Sequence, residues 1–239
     1  MKRILVSWSG GKDSAMALSE IQRARDFDVA ALVTTVTKDY DRISMHGVRR
    51  SLLRRQADSL GLTLEEVFIT KDASNTEYEA AMERTLSAYR DAGITSVVFG
   101  DIFLEDLKAY REEKLRLLNM DALFPIWKRD TTRLAREFID MGFKAITTCV
   151  DTHVLGEDFV GREIDAAFLA DLPAGVDPCG ENGEFHSFVY DGPIFRSPIS
   201  IAPGEKVLRE SRFYYCDLIE QGQKQSGWAD SSGAADKTP

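Results

Sequence analysis

Apolar and polar positions along the chain switch repeatedly between two periods. Residues 2–8 and 29–36 are short apolar runs, and the second (VAALVTTV) has the β-branched character of a strand buried on both faces. Residues 63–69, 95–99, 123–127 and 144–150 read as further strands, with Pro125 placing its run at an end or an edge. Between them the pattern is helical at 12–25, 47–60, 77–92, 105–119 and 131–141. Leu52, Leu53, Gln56 and Leu60 fall on one helical face, and Gly61 and Gly93 stand where helices stop. This βαβα alternation predicts an α/β fold, a parallel doubly wound sheet with helices on both faces. Ligands of such sheets sit at the carboxyl ends of the strands, near the point where strand order reverses.

The pattern changes after about residue 151. Residues 161–172 suit one more helix, and a Gly- and Pro-rich stretch follows with strand-like runs at 186–190 and 212–218. The expected organisation is a first unit over 1–150, a small α+β unit over 151–220, and a polar, disordered tail over 221–239.

Composition narrows the function classes. At 239 residues and 44% hydrophobic, the chain can bury one large core with a smaller appendage. A net charge of −9 without a basic block argues against binding nucleic acid backbone or a membrane surface. No apolar stretch nears the roughly 20 residues of a bilayer span, and the run at 4–6 is too short for a signal peptide. Cys149, Cys179 and Cys216 form no CxxC pair, which disfavours a disulfide framework or a structural zinc site and suits the cytoplasm.

The densest chemistry is the turn after the first strand, Ser9-Gly10-Gly11-Lys12-Asp13-Ser14. A Walker loop would need glycine at Val6 and Ser or Thr at Asp13, and no GxGxxG is present. The turn has its own logic for an anion. Gly10 and Gly11 permit positive φ and close backbone approach, and the following helix offers free N–H groups and a positive dipole end. Ser9 and Ser14 add hydroxyl groups, and Lys12 adds charge. Asp13 beside phosphate is repulsive unless Mg²⁺ bridges them or a backbone group fixes it. A simple helix cap by Ser9 or Asp13 explains one of the six residues.

These six residues resemble the S-G-G-x-D-S pyrophosphate loop of the PP-loop ATP pyrophosphatases. "VVFGDIFLEDLKAYRE" (97–112), "DPCGENGEFHSFVYDGP" (177–193) and "SMHGVRR" (44–50) are similar to the diphthine–ammonia ligase-like branch, so the likeness covers about residues 1–218. The resemblance implies a Rossmann-like, adenine nucleotide alpha hydrolase-like sheet, with the first unit binding nucleotide and the second the acceptor. It also implies an ATP-dependent amide ligase. An acceptor carboxylate is adenylated with release of pyrophosphate, and ammonia then displaces AMP. The acceptor in the family is diphthine, a modified histidine of elongation factor 2; a small metabolite is the other candidate.

The expected nucleotide-binding residues are Ser9, Gly10, Gly11, Lys12, Asp13, Ser14 and Gly100, with Thr34 and His46 near adenine or ribose. Asp13 and Asp101 are the expected Mg²⁺ ligands. Glu105 either orients the acceptor amine or completes an acidic first helical turn, and Lys108 and Arg111 read as solvated charges. In the 177–193 loop, Glu181, Asn182, Glu184 and His186 are expected at the acceptor, with Glu181 and Glu184 binding ammonium or deprotonating it. The catalytic set is then Lys12, Asp13, Asp101, Glu181 and Glu184. The same loop also suits a metal site or a hairpin held by capping carboxylates. Two other functions stay open: sulfur transfer to tRNA, which needs a reactive cysteine and a basic surface, and a non-catalytic nucleotide sensor. The expected partners are ATP, ammonia and the acceptor carboxylate, with no nucleic acid and no membrane; homo-oligomerisation is left open.

Overall fold

The computed structural model describes residues 1–43 and 47–221. The first half alternates as expected: β1 (Lys2–Ser7), α1 (Lys12–Ala24), β2 (Phe27–Thr37), β3 (Arg42–Ile43), α2 (Arg50–Leu60), β4 (Leu64–Ile69), α3 (Asn75–Asp91), β5 (Ser96–Val98), α4 (Glu105–Leu117) and β6 (Asp121–Leu123). β4, β2, β1, β5 and β6 lie side by side in that order, all parallel. The two-residue β3 runs antiparallel against the end of β2.

Alternate residues of the central strands face opposite sides of this sheet. Ile4, Val6 and Leu32 pack with Leu18 and Ile21 of α1, Leu52 and Leu53 of α2, and Leu134 and Phe138. Leu5, Ala31 and Val33 pack with Ala81 and Leu86 of α3 and Leu115 of α4. The sheet is therefore doubly wound, with α1 and α2 on one face and α3 and α4 on the other.

Then come α5 (Thr131–Asp140), β7 (Lys144–Asp151), α6 (Ala166–Asp171), β8 (Phe185–Asp191), β9 (Ile201–Arg209) and β10 (Phe213–Glu220). The four strands form a second, antiparallel sheet in the order β8-β7-β10-β9. Ala145, Val150, Phe185 and Phe188 join the same apolar cluster as α1 and α2, so this sheet covers that face of the first.

Four local expectations change. The strand expected at 144–150 is present, but it pairs antiparallel with β8 and β10 rather than extending the parallel sheet. An apolar run marks burial and carries no signal of which sheet buries it. The strand expected at 123–127 ends at Leu123, because Pro125 falls in the turn that follows. The helix expected at 161–172 shortens to α6, started by Asp165, whose carboxylate accepts from Phe168 N at 2.7 Å. β9, an edge strand containing Pro203, has no counterpart among the expected elements.

Candidate active site

The chain leaves β1 for β2 on one side and later returns to lay β5 on the other, so strand order reverses at the β1/β5 crevice. The turn expected to hold an anion opens at this crevice. A cleft of about 230 Å³ is lined by Ser9, Gly11, Lys12, Asp13 and Ser14 from the turn, by Gly100 and Asp101 after β5, and by Glu181 and His186 from the second unit.

The turn is built by packing around two glycines. Gly10 has φ +79°, and a Cβ there would meet Gln56 Oε1 at 2.6 Å and Leu53 Cδ1 at 2.8 Å. Gly10 is buried behind the turn, and its carbonyl accepts from Gln56 Nε2 and from Val189 N of β8, both at 2.9 Å. Gly100 faces the first turn of α1 so closely that a Cβ would stand 2.7 Å from the backbone carbon of Asp13. Gly11 is the N-cap of α1 and offers no side-chain cap. The missing cap comes from the second unit, where Ser187 Oγ accepts from Lys12 N at 3.1 Å. Ser14 Oγ donates to Gly11 O at 2.9 Å and lies 3.2 Å from Ser9 Oγ.

Lys12 is almost fully buried, and its ammonium donates to both Asp13 oxygens at 2.8 Å. Burial pulls the Lys12 pKa down, but the Asp13 carboxylate outweighs it and the group titrates above its ordinary value. Burial raises Asp13 above the usual carboxylate value, against the pull of Lys12. Asp101 forms a second such pair. Arg111 Nε stands 2.8 Å from its Oδ2, and Nη2 donates to Oδ1 at 3.1 Å. Each of the two cleft cations, Lys12 and Arg111, is thus paired with a carboxylate of the same cleft.

Glu181 reaches across from the second unit, and its Oε1 accepts from Ile102 N at 2.7 Å and Phe103 N at 3.3 Å. Burial pushes its pKa up to about 7, the backbone donors notwithstanding. Burial, with Lys12 adding, pushes His186 down to about 4, so its imidazole is neutral near pH 7.

Other expected residues lie elsewhere. Glu184 does not line the cleft. Its Oε1 accepts from Asp177 N (3.0 Å) and Asn182 Nδ2 (2.9 Å), and its Oε2 from Asn182 N (2.9 Å). Asn182 is exposed and serves that same brace. Glu105 is exposed and pairs with Lys128 at 2.7 Å, outside the cleft. Thr34 is buried within β2, opposite Glu66, and is not a cleft residue. His46 lies outside the described residues, as do residues 222–239.

Three residues that organise the cleft were not expected there. Gln56 is fully buried, accepts from Trp8 Nε1 at 2.9 Å and donates to Gly10 O and Val189 O. Its sequence signal was a polar residue in an apolar helical stripe, which is costly unless hydrogen-bonded. Ser187 showed no signal. Arg111 read as a surface charge, yet its side chain lines the cleft wall.

No group of three or more His, Cys, Asp or Glu side chains placed to hold a metal occurs among the described residues. Asp13 and Asp101 do face one cleft, and Mg²⁺ commonly takes one or two carboxylates and fills its shell with phosphate oxygens and water. The donor set fits that arrangement.

A parallel sheet with a glycine turn at its switch point, faced by Glu181 from the loop before a second sheet, defines a doubly wound α/β protein, a class whose ligands sit at the strand ends. Residues 1–120 match the family model described as diphthamide synthase N-terminal domain, and residues 130–224 match the C-terminal domain model. The chain belongs to the diphthamide synthase family. Similar chains include a mouse (Mus musculus) protein named diphthine–ammonia ligase, 29% identical over 160 residues, or 63% of this chain and 58% of that one. A zebrafish (Danio rerio) protein of the same name is 26% identical over 231 residues, covering 86% and 89% of the two chains. A human (Homo sapiens) one is 31% identical over 114 residues, covering 45% and 43%. The matched regions thus span just over half of the mouse protein's length, under half of the human one's and most of the zebrafish one's. No helix among the described residues is long and apolar enough to cross a membrane.

Proposed function

We propose that the chain is an ATP-dependent amide ligase. It would adenylate an acceptor carboxylate with release of pyrophosphate, then transfer ammonia with release of AMP. One observation carries the reading: the anion-suited turn and a carboxylate poised near neutrality face each other across one cleft.

A carboxylate is a poor acyl donor because oxide is a poor leaving group. Attack of its oxygen on the α-phosphorus of ATP forms an acyl-adenylate and expels pyrophosphate. The turn from Ser9 to Ser14 suits the departing pyrophosphate, through backbone N–H groups at the start of α1 and the Lys12 ammonium. When bound at Asp13 and Asp101, Mg²⁺ would supply further charge neutralisation of the phosphates. Asp13 and Asp101 would hold the ion in place of their present pairing with Lys12 and Arg111, and those two cations would then face the phosphates. Ammonium then loses a proton to Glu181, whose pKa near 7 suits a base working at neutral pH. The ammonia attacks the acyl carbon, forming the C–N bond as the bond to AMP breaks, and the nitrogen's surplus proton passes to water.

Sulfur transfer is the weaker reading. Burial pushes the Cys149 and Cys179 thiols up to about 12, the opposite of an activated thiolate. The test is α-labelled ATP incubated with ammonium and a panel of carboxylic acids, diphthine-bearing elongation factor included. Acid-dependent AMP is expected; ADP in its place overturns the reading.

A further inference from the structure

A second concavity, of about 190 Å³, runs between α3 and α4 and is not part of the site above. Met82, Leu86, Leu115 and Leu118 floor it, with Tyr78 and Tyr110 at its sides. Its rim includes Leu117, 62% exposed, and Tyr110, 39% exposed, two of only six large apolar side chains left exposed among the described residues. Two of the rim charges are matched, Glu79 accepting from Lys114 Nζ at 2.7 Å and from Tyr110 Oη at 2.9 Å, while Glu83 lines the rim exposed to solvent.

This groove and the cleft share two residues, Phe99 and Arg111. Arg111 lies over the Phe99 ring at 4.5 Å and points its fork at Asp101. The fork already holds a carboxylate, and holds it imperfectly. Nε and Asp101 Oδ2 approach to 2.8 Å without hydrogen-bond alignment, and both atoms are buried. A planar guanidinium prefers two aligned bonds to one carboxylate. A carboxylate arriving from the groove side can take that place, its apolar arm staying behind among the leucines.

We propose that the α3–α4 groove is the acceptor's entry site, taking a carboxylate on an aliphatic or aromatic arm, and that Arg111 receives the carboxylate in exchange for Asp101. This rests on the ligase reading of the cleft and adds to it the class of acceptor and its direction of approach. An apolar cavity of about 150 Å³ holds a benzene ring, so the groove has room for a ring or a short branched arm. Glu181 stands on the second unit's side of the cleft, away from the groove, which leaves ammonia and acceptor on opposite approaches.

The probes are 4-phenylbutyrate, acetate and 4-phenylbutylamine, titrated against the full chain by calorimetry or ligand-observed NMR. The expected result is that 4-phenylbutyrate binds at least tenfold more tightly than either of the others. Arg111→Lys, which keeps the charge and loses the fork, weakens it at least fivefold. Met82→Trp, which fills the groove, brings it to the level of acetate. Asp101→Asn, which removes the competing carboxylate, tightens it at least threefold; a purely structural Asp101–Arg111 pair predicts no gain. Thermal melts of each variant establish that it folds. Equal binding of the three probes to the parent protein, or 4-phenylbutyrate binding that ignores both Arg111→Lys and Asp101→Asn, overturns the proposal. ATP titrated into the same samples separates the two readings. Groove binding without ATP binding refutes the ligase and leaves the groove, and the converse refutes the groove alone.

Discussion

The turn at 9–14 and the loop at 177–187 are both dense in polar chemistry, and they use it in opposite ways. In the turn, five of six residues line the cleft, and the sixth, Gly10, is the buried pivot that lets the backbone bend. In the loop most of the chemistry points inward. Asp177 Oδ2 accepts from Cys179 N at 3.2 Å and Glu181 N at 3.0 Å, and Glu184 accepts from Asp177 and Asn182. Glu181 alone among these carboxylates faces the cleft. A turn after a strand has its shape fixed locally by glycine and by the helix that follows. A long irregular loop must satisfy its own buried backbone first, and its acidic residues are consumed in doing so.

The comparison breaks most visibly at the contact between β5 and α1. Gly100→Ala places a methyl group 2.7 Å from the Asp13 backbone, where nothing flexible can yield. The first turn of α1 must shift, with a stability loss of about 1–3 kcal/mol for overpacking. A displacement of that kind costs about a hundredfold where geometry governs rate. AMP formation is therefore expected to fall by about that factor, read with α-labelled ATP. Unchanged activity means that the cleft is not where the chemistry occurs.

The next largest effect separates two glutamates only three residues apart. Glu184→Ala strands two backbone N–H groups that Glu184 now satisfies, at about 1–3 kcal/mol each when buried. Asn182 is exposed and its N–H can turn to water, so the urea midpoint is expected to fall by an equivalent of about 1–3 kcal/mol. Glu181→Gln keeps an oxygen for Ile102 N and sheds the cost of a buried carboxylate, so near neutral pH the midpoint should hold or rise, while amide formation falls about a hundredfold for loss of the base. If both variants lose stability alike, the inward and outward roles assigned within this loop are wrong.

A smaller effect concerns pH. Glu181 is raised to about 7 in the fold against 4.5 for the free group, so between those values the native state holds a proton that the unfolded state has lost, and stability falls as pH rises. His186 is lowered to about 4 against 6.5, so across most of the same window the unfolded state holds the extra proton and stability rises with pH. The two trends offset each other between 4.5 and 6.5. Glu181→Gln removes the first trend, and its stability relative to the parent should climb by about 1–3 kcal/mol from pH 4.5 to 6.5. Groups common to both proteins that do not interact with Glu181 cancel in that difference. A difference flat across this range places Glu181 in water.

Legibility followed the same division. The doubly wound sheet, the strand–turn–helix at 9–14 and the crevice could be read because each depends on local periodicity, glycine placement and strand order. The sheet to which 144–150 belongs could not, since β7 is buried almost throughout its length and burial looks alike in either sheet. Ser187 and Gln56 reach the turn from 175 and 46 residues away, and such contacts leave no local trace. Glu105 and Arg111 exchanged their expected places for one geometric reason. Residues six apart on α4 face different sides, so the helix that turns Arg111 into the cleft wall turns Glu105 out to Lys128. Glu105→Ala is accordingly the mildest change. It removes an exposed pair of the kind that contributes little, and both the melting temperature and the AMP yield should match the parent protein. A tenfold loss of AMP yield without a melting shift would return Glu105 to the acceptor and require α4 to turn when substrate binds.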